Sequence, residues 1–138
     1  MKNWSALLIL CSFLLIACSS HKMLNQQLLG TWKLEIDSFS DDENTIPQGI
    51  KDYTTEFGNT ITYVFQDDNS YTITSASIVD GKRGTYVVNN KRNEITLRMA
   101  EEDPNVIKVN EIIADTLYCE SLITSSGKMI FKLKRVKN

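Results

Sequence analysis

The stretch Gly30-Thr-Trp-Lys-Leu-Glu-Ile36 decides the fold class of this chain. Its apolar side chains, Trp32, Leu34 and Ile36, alternate with polar ones, and this two-residue period is typical of a strand with one buried and one wet face. We therefore predict a first strand over residues 31–39.

Seven further segments of the same kind follow. They are short, rich in Val, Ile, Thr, Tyr and Phe, and separated by turn residues such as Asp80-Gly81-Lys82-Arg83-Gly84, where Gly and Asp tolerate a positive φ. The predicted strands cover residues 60–66, 71–79, 85–89, 94–99, 106–113, 116–123 and 129–136. Eight strands with short connections most economically close into an up-and-down antiparallel barrel, because closure removes the exposed sheet edges. No helix of useful length is predicted.

One connection is too long for a hairpin. From Glu35 to Glu56 the chain carries seven acidic residues against Lys51 alone, and Pro47 and Gly49 interrupt it. Two interpretations stay open for the segment between Asp37 and Glu56: a lid over one mouth of the barrel, or a solvated insertion.

The first seventeen residues are predicted to be an export signal. Lys2 precedes an apolar stretch over residues 4–16, which is too short to cross a hydrocarbon core of about 30 Å with margin. The sequence Leu15-Ile16-Ala17-Cys18 resembles the lipobox of bacterial lipoproteins, and this resemblance implies that Cys18 is lipidated and begins the mature chain. An ordinary secretory signal is the alternative. We therefore divide the chain into a signal peptide (1–17), a lipidated tether (18–27) and a barrel domain (28–138).

The remaining composition excludes several classes of protein. An apolar fraction of 42% with 23% charged residues and near-neutral charge argues against disorder and against a polybasic nucleic-acid binder. Cys11 leaves with the signal and Cys18 carries lipid, so Cys119 is left alone and no disulfide framework is expected. Cys119 alternates with Leu117 and is predicted to face inward as a small apolar side chain.

A family resemblance covers residues 28–136. Leu29-Gly30-Thr31-Trp32-Lys33-Leu34 resembles the Gly-x-Trp signature of lipocalins and of the lipocalin-like domains of Bacteroidetes lipoproteins, and three later pieces, at 65–71, 84–86 and 129–135, are similar to the same pattern. The resemblance implies that Trp32 packs under Arg135 near the end of the last strand. The physical argument agrees, because a buried guanidinium gains a partner in an indole face. The chain is shorter than animal lipocalins and lacks an obvious C-terminal helix.

Catalytic and metal-binding constellations are hard to find. The one histidine, His21, lies in the tether, so the barrel offers no Cys-His or Ser-His pair and no zinc site. Asp41, Asp42 and Glu43 lack the alternating spacing of a calcium loop, and acidic runs in loops are usually solvated. We predict that the protein is not an enzyme and has no cofactor or metal.

Two functions remain open. An eight-stranded barrel is just wide enough to hold one small ligand, and the predicted lining is apolar and aromatic: Tyr63, Phe65, Tyr71, Tyr86, Met99 and Phe131. A small hydrophobic or amphipathic ligand would then lie inside the barrel or at its mouth. The same side chains are bulky enough to fill the barrel, and a filled barrel favours a protein-interaction module of the cell envelope, such as an assembly factor or a protease inhibitor.

The expected location is the cell envelope. Ser19 after the lipidated cysteine, with no Asp there, resembles lipoproteins sorted to an outer membrane. The absence of an acidic run directly after Cys18 departs from the surface-export signal of Bacteroidetes lipoproteins. We therefore expect an anchor in the outer membrane facing the periplasm, and no nucleic acid as partner.

Overall fold

A computed structural model describes residues 22–138; the predicted signal peptide, Cys18 and His21 lie outside the described residues. Eight antiparallel strands form a closed barrel in which each strand pairs with the next in sequence and the last returns to the first. The strands are β1 (Gly30–Ser40), β2 (Thr62–Phe65), β3 (Ser70–Thr74), β4 (Lys82–Asn89), β5 (Glu94–Arg98), β6 (Asn105–Ile113), β7 (Thr116–Leu122) and β8 (Lys128–Arg135). The prediction of an eight-stranded up-and-down barrel is confirmed.

Two helices accompany the strands. The helix α1 (Leu24–Leu28) precedes β1, and α2 (Gln48–Gly58) lies in the long connection between β1 and β2. Neither helix among residues 22–138 is long and apolar enough to cross a bilayer.

The alternation in β1 gives the burial pattern expected from the sequence. Trp32, Leu34 and Ile36 are buried, whereas Lys33 and Asp37 are exposed. Pairing with β8 places Trp32 opposite Arg135, and a bulge between Ile36 and Ser38 shifts the register before the strand ends. The period-two pattern therefore fixes which face of the sheet becomes the barrel interior.

The two ends of the barrel differ in how they are built. The closed end consists of residues 22–29, which include α1, and the segments 66–69, 90–93, 114–115 and 136–138. The mouth end consists of residues 41–61, which include α2, and the connections 75–81, 99–104 and 123–127. At the closed end, Leu24 and Leu28 are buried against the core.

Two details of the sequence-based prediction are wrong. The long acidic connection contains the eleven-residue helix α2, although no helix of useful length was expected. The third strand ends at Thr74 and not at residue 79, and β4 begins at Lys82, so the turn occupies residues 75–81. Gly81 has a φ of +74°, which is the conformation that its place in the turn predicted, but Lys82, Arg83 and Gly84 belong to the strand.

Candidate functional site at the mouth of the barrel

The predicted ligand lining forms the centre of the barrel. Tyr63, Phe65, Tyr71, Tyr86 and Phe131 are each at most 8% exposed, and Met99 is a partly buried side chain packed against this core. The ring of Phe65 lies 5.1 Å from that of Tyr86 in an edge-to-face arrangement, 5.8 Å from that of Tyr63 and 6.0 Å from that of Tyr71, measured between centroids. Such spacings are those of packed aromatic pairs.

The notable cavities lie outside this aromatic core. Four cavities stand out among the described residues, with volumes between about 340 and 670 Å³. None of these four is lined by Tyr63, Phe65, Tyr71 or Phe131. Tyr86 borders a groove beside α1, and Met99 borders a depression on the outer wall. A ligand in the centre of the barrel would therefore have to displace packed rings.

The buried titratable groups in this core are held in their neutral forms. Burial raises the pKa of Tyr63, and the nearby Tyr71 and Cys119 add to the effect. Burial also raises the pKa of the Cys119 thiol to about 12, so the thiolate required of a nucleophile is absent at neutral pH. Cys119 is a packing residue in this barrel.

Trp32 and Arg135 lie together at the closed end. The Cζ atom of Arg135 lies 4.2 Å from the centroid of the indole, and Trp32 Nε1 donates a hydrogen bond of 2.6 Å to the carbonyl of Leu28. Arg135 also donates to the carbonyls of Leu29 and Gln27. The sequence analysis assumed a buried guanidinium, but the Arg135 side chain is 28% exposed. The guanidinium therefore covers the indole from solvent and is not itself buried.

Gly30 is required by this arrangement. Its φ is +118°, and a Cβ atom built there would lie 2.8 Å from Nη1 of Arg135. The positive φ favours glycine at this position, and the missing Cβ atom leaves room for the guanidinium as it crosses the start of β1. The contact is structural and leaves no group available for chemistry.

The mouth end carries the helix that the sequence did not predict. Gly58 lies so close to β1 that a Cβ atom would fall 2.3 Å from Cδ1 of Ile36, and Phe57 packs against the core. On the outward side, Tyr53 is 65% exposed and stacks on Phe57 with the rings 5.9 Å apart and nearly parallel, while Ile50 is 47% exposed. One helix thus seals the core with its end and presents apolar side chains to solvent.

A groove separates α2 from the connection between β3 and β4. Its volume is about 390 Å³, and it is lined by Tyr53, Glu56, Phe57, Thr60, Ala76 and Ser77. The spacing of Ile50, Tyr53 and Phe57 at positions i, i+3 and i+7 is the signal that could have identified both the helix and this surface from the sequence.

Asp41 organises the chain that leads into α2. Its carboxylate accepts hydrogen bonds from the Thr45 amide at 2.7 Å, the Thr45 hydroxyl at 2.9 Å and the Ile46 amide at 2.7 Å, and it forms an ion pair with Lys51. The side chain is 1% exposed. Burial alone would raise the pKa of Asp41, but these hydrogen bonds hold it below its ordinary value.

This connection is also fixed to the opposite side of the mouth. The hydroxyl groups of Thr45 and Thr124 lie 2.5 Å apart, and Ile46 is buried against Gly127. Among residues 22–138 no group of three or more acidic, Cys or His side chains is placed to hold a metal ion. The carboxylate of Asp41 is thus engaged by its own loop, while Asp42 and Glu43 are exposed.

Charge is unevenly distributed between the two ends. The mouth end as defined above contains a single basic residue, Lys51, which is paired with Asp41. Its exposed acidic residues are Asp42, Glu43, Asp52, Glu56, Asp80, Glu101, Glu102 and Asp103. The nearest bases stand on the adjoining strands, at Lys82, Arg98 and Lys128. Burial raises the pKa of Tyr71, and the nearby Glu102 adds to the effect.

The basic C-terminal strand is largely neutralised by neighbouring strands. Lys132 pairs with Asp37 at 2.9 Å and Lys134 with Glu35 at 2.6 Å, both across the β1–β8 contact. Lys128 pairs with Glu120 on β7. This run of lysines therefore serves cross-strand pairing in the barrel wall.

Comparisons with known proteins do not identify the chain. No family model matches it, and no curated protein matches it. Among solved structures, it is similar to the crystal structure of a DUF4847 family protein from Bacteroides vulgatus, with 12% sequence identity, a TM-score of 0.48, and coverage of 80% of this chain and 95% of that chain. The barrel assignment therefore rests on the strand pairing of this chain itself, and no function follows from the comparison.

Proposed function

We propose that this protein is a lipid-anchored binding module of the cell envelope, not an enzyme, and that it contacts a partner protein through the mouth end of a filled barrel. The observation that carries the proposal is α2, which exposes Ile50 and Tyr53 although the barrel interior is packed. Exposed apolar side chains within a polar rim are characteristic of protein interaction sites.

The charge of the mouth end favours a basic partner. Asp52 and Glu56 lie on the same helix as Tyr53, and the neighbouring connections add further exposed carboxylates. A partner segment with Lys or Arg residues around an apolar side chain matches this surface, because opposite charges steer the encounter and the apolar side chain supplies buried contact. We therefore propose a basic protein segment as the occupant.

The test is site-specific photo-crosslinking in cells. A photoreactive phenylalanine analogue at Tyr53 should give a discrete adduct, whereas the same analogue at Lys108, on the outer wall of β6, should give none. The substitutions Asp52→Asn and Glu56→Gln, which remove two negative charges, should lower the yield of the Tyr53 adduct. Equal adducts from both positions, or none from Tyr53, would overturn the proposal.

A small ligand is the second candidate, and one observation favours it. The groove of about 390 Å³ beside the stacked Tyr53 and Phe57 offers an apolar wall at the mouth, where a small hydrophobic or amphipathic molecule would fit. Titration with Nile red, a neutral apolar dye, separates the alternatives. Binding lost in Tyr53→Ala supports the groove, whereas binding lost only in Tyr86→Trp supports an interior site and contradicts the filled barrel.

The membrane anchor is a further part of the proposal. Lipid labelling of the protein should disappear in Cys18→Ser, and the mature protein should begin at residue 18. We propose the outer membrane, facing the periplasm, as the location, which membrane separation followed by protease protection tests. Labelling that persists in Cys18→Ser, or another mature terminus, would contradict the anchor.

A further inference from the structure

The closed end carries exposed apolar side chains that the barrel does not use. Met23 and Leu29 flank α1, Ile113 is the last residue of β6, and Val136 follows β8; all four are at least 38% exposed. They belong to segments that converge at one end of the barrel, because the start of β1, the end of β6 and the end of β8 all lie there. Such a surface needs an explanation that the core does not supply.

The closed end carries far less negative charge than the mouth end. Its connecting segments contain four exposed basic residues, namely Lys22, Lys91, Arg92 and Lys137, of which Arg92 pairs with Glu94 at the start of β5. The acidic residues there are Asp67, Asp68 and Asp115, of which Asp68 pairs with Arg83 and Asp115 with Lys137. An anionic surface therefore repels the mouth end strongly and the closed end hardly at all.

Chain length restricts which end can reach a membrane. Leu24 is buried in the core, so the polypeptide leaves the barrel at a fixed point on the closed end. The five residue steps from Cys18 to Met23 span at most about 18 Å when fully extended. The mouth lies about 25 Å further away along the barrel axis, given the rise per residue and the usual tilt of barrel strands.

We propose that the closed end is a membrane-docking surface. The side chains of Leu29, Ile113 and Val136 enter the interfacial layer of a phospholipid bilayer, Lys91 lies against lipid phosphates, and α2 points away from the membrane. The inference rests on the lipid anchor of the proposed function, because the tether brings the closed end to the bilayer. Weak apolar contacts suffice once a tether raises the local concentration of the surface.

The experiment is done in vitro with a chemically attached lipid, so that membrane docking is measured independently of whether cells lipidate the protein. All buried core residues lie between Leu24 and Leu133, so a chain that begins at Cys18 contains the whole barrel. Cys18 can be coupled to a maleimide lipid in nanodiscs of phosphatidylcholine and phosphatidylglycerol, because the Cys119 thiol is buried and protonated. Gadolinium on a fraction of the headgroups then broadens the NMR signals of methyl groups near the bilayer.

The expected result is several-fold stronger broadening at Leu29, Ile113 and Val136 than at Ile50 and Val79 of the mouth end. Equal broadening of the two sets would overturn the inference. In both variants the contrast is read between the methyl groups of Met23 at the closed end and Ile78 at the mouth end, which neither variant replaces. The variant Leu29→Ser/Ile113→Ser/Val136→Ser should lose most of this contrast while keeping its fold, as judged from its amide spectrum. The matched variant Ile50→Ser/Val79→Ser should retain the contrast.

Contrast that persists in the closed-end variant would show that the tether alone orients the barrel, and this would also overturn the docking surface. Failure of the lipid anchor in cells would leave these results unchanged, because the coupling is made in vitro. The two proposals therefore fail in distinguishable ways.

Discussion

The closed end and the mouth end of this barrel are completed by different interactions. At the closed end, α1 and the Trp32–Arg135 contact extend the apolar core outward until a guanidinium meets solvent. At the mouth end, a carboxylate with several hydrogen bonds organises a polar connection, and a helix covers the core with its last turn only. The closed end is thus continuous with the apolar core, whereas the mouth end is held by a polar connection and leaves apolar side chains of its helix exposed.

The largest expected effect is at Trp32. Replacement by Ala removes a fully buried ring and the partner of Arg135, and should lower the free energy of unfolding by about 3 to 5 kcal/mol. Trp32→Phe keeps a ring but loses the hydrogen bond to Leu28, so its free energy of unfolding should lie between those of the unaltered protein and Trp32→Ala. Denaturant titration gives both values. An unchanged unfolding midpoint for Trp32→Ala would show that the contact between Trp32 and Arg135 does not stabilise the closed end.

A pair of glycines in α2 gives the next effect. Gly58→Ala forces a methyl group into Ile36 and should destabilise the protein by about 1 to 3 kcal/mol, the usual range for overpacking. Gly49→Ala meets nothing within 4 Å and should stabilise the helix by about 0.5 to 1 kcal/mol. Thermal unfolding of the two variants checks the signs. The same sign for both would mean that α2 does not pack on β1 as described.

Acid should loosen the mouth end before the closed end. The pKa of Asp41 is lowered in the folded state, so its stabilising effect is complete above the ordinary carboxyl range and is lost as the pH falls through the lowered value. The Ile46 methyl signals should then shift, while those of Leu28 at the closed end should not. Asp41→Asn should show the shifted Ile46 signals already at neutral pH. Simultaneous changes at both residues would argue against independent ends.

The smallest effect on stability is expected at Tyr53. Because its ring is mostly exposed, Tyr53→Ala should change the free energy of unfolding by no more than about 0.5 kcal/mol. The same variant should lose binding of the partner or the dye. A large loss of stability would assign Tyr53 to the core of the mouth end and remove it as a recognition residue.

The sequence predicts the strands well because their signal is local. Alternation in β1 is visible in seven residues, and each strand pairs with its neighbour in sequence. The helix α2 was missed because Thr54 and Thr55 are weak helix formers and Gly49 and Gly58 suggest a loop. The close approach of Gly58 to Ile36 is a tertiary contact, which the local sequence does not reveal.

The candidate site was only partly predictable for the same reason. The inward direction of the aromatic residues follows from alternation, but whether they line a cavity or fill it depends on their mutual packing. Asp41 and Asp42 are indistinguishable as sequence, yet one carboxylate is 1% exposed and the other residue is exposed. The difference arises from the turn that brings the Thr45 and Ile46 amides to a single side chain.

The length of β1 has a mechanical consequence. A partner held at α2, with the chain anchored before α1, would pull on β1 from its two ends. This strand pairs with β8 at eight register positions and with β2 at four, and its hydrogen bonds run perpendicular to the direction of the load. Such bonds are loaded in shear and must break together, so β1 would transmit force between partner and membrane without unzipping one residue at a time.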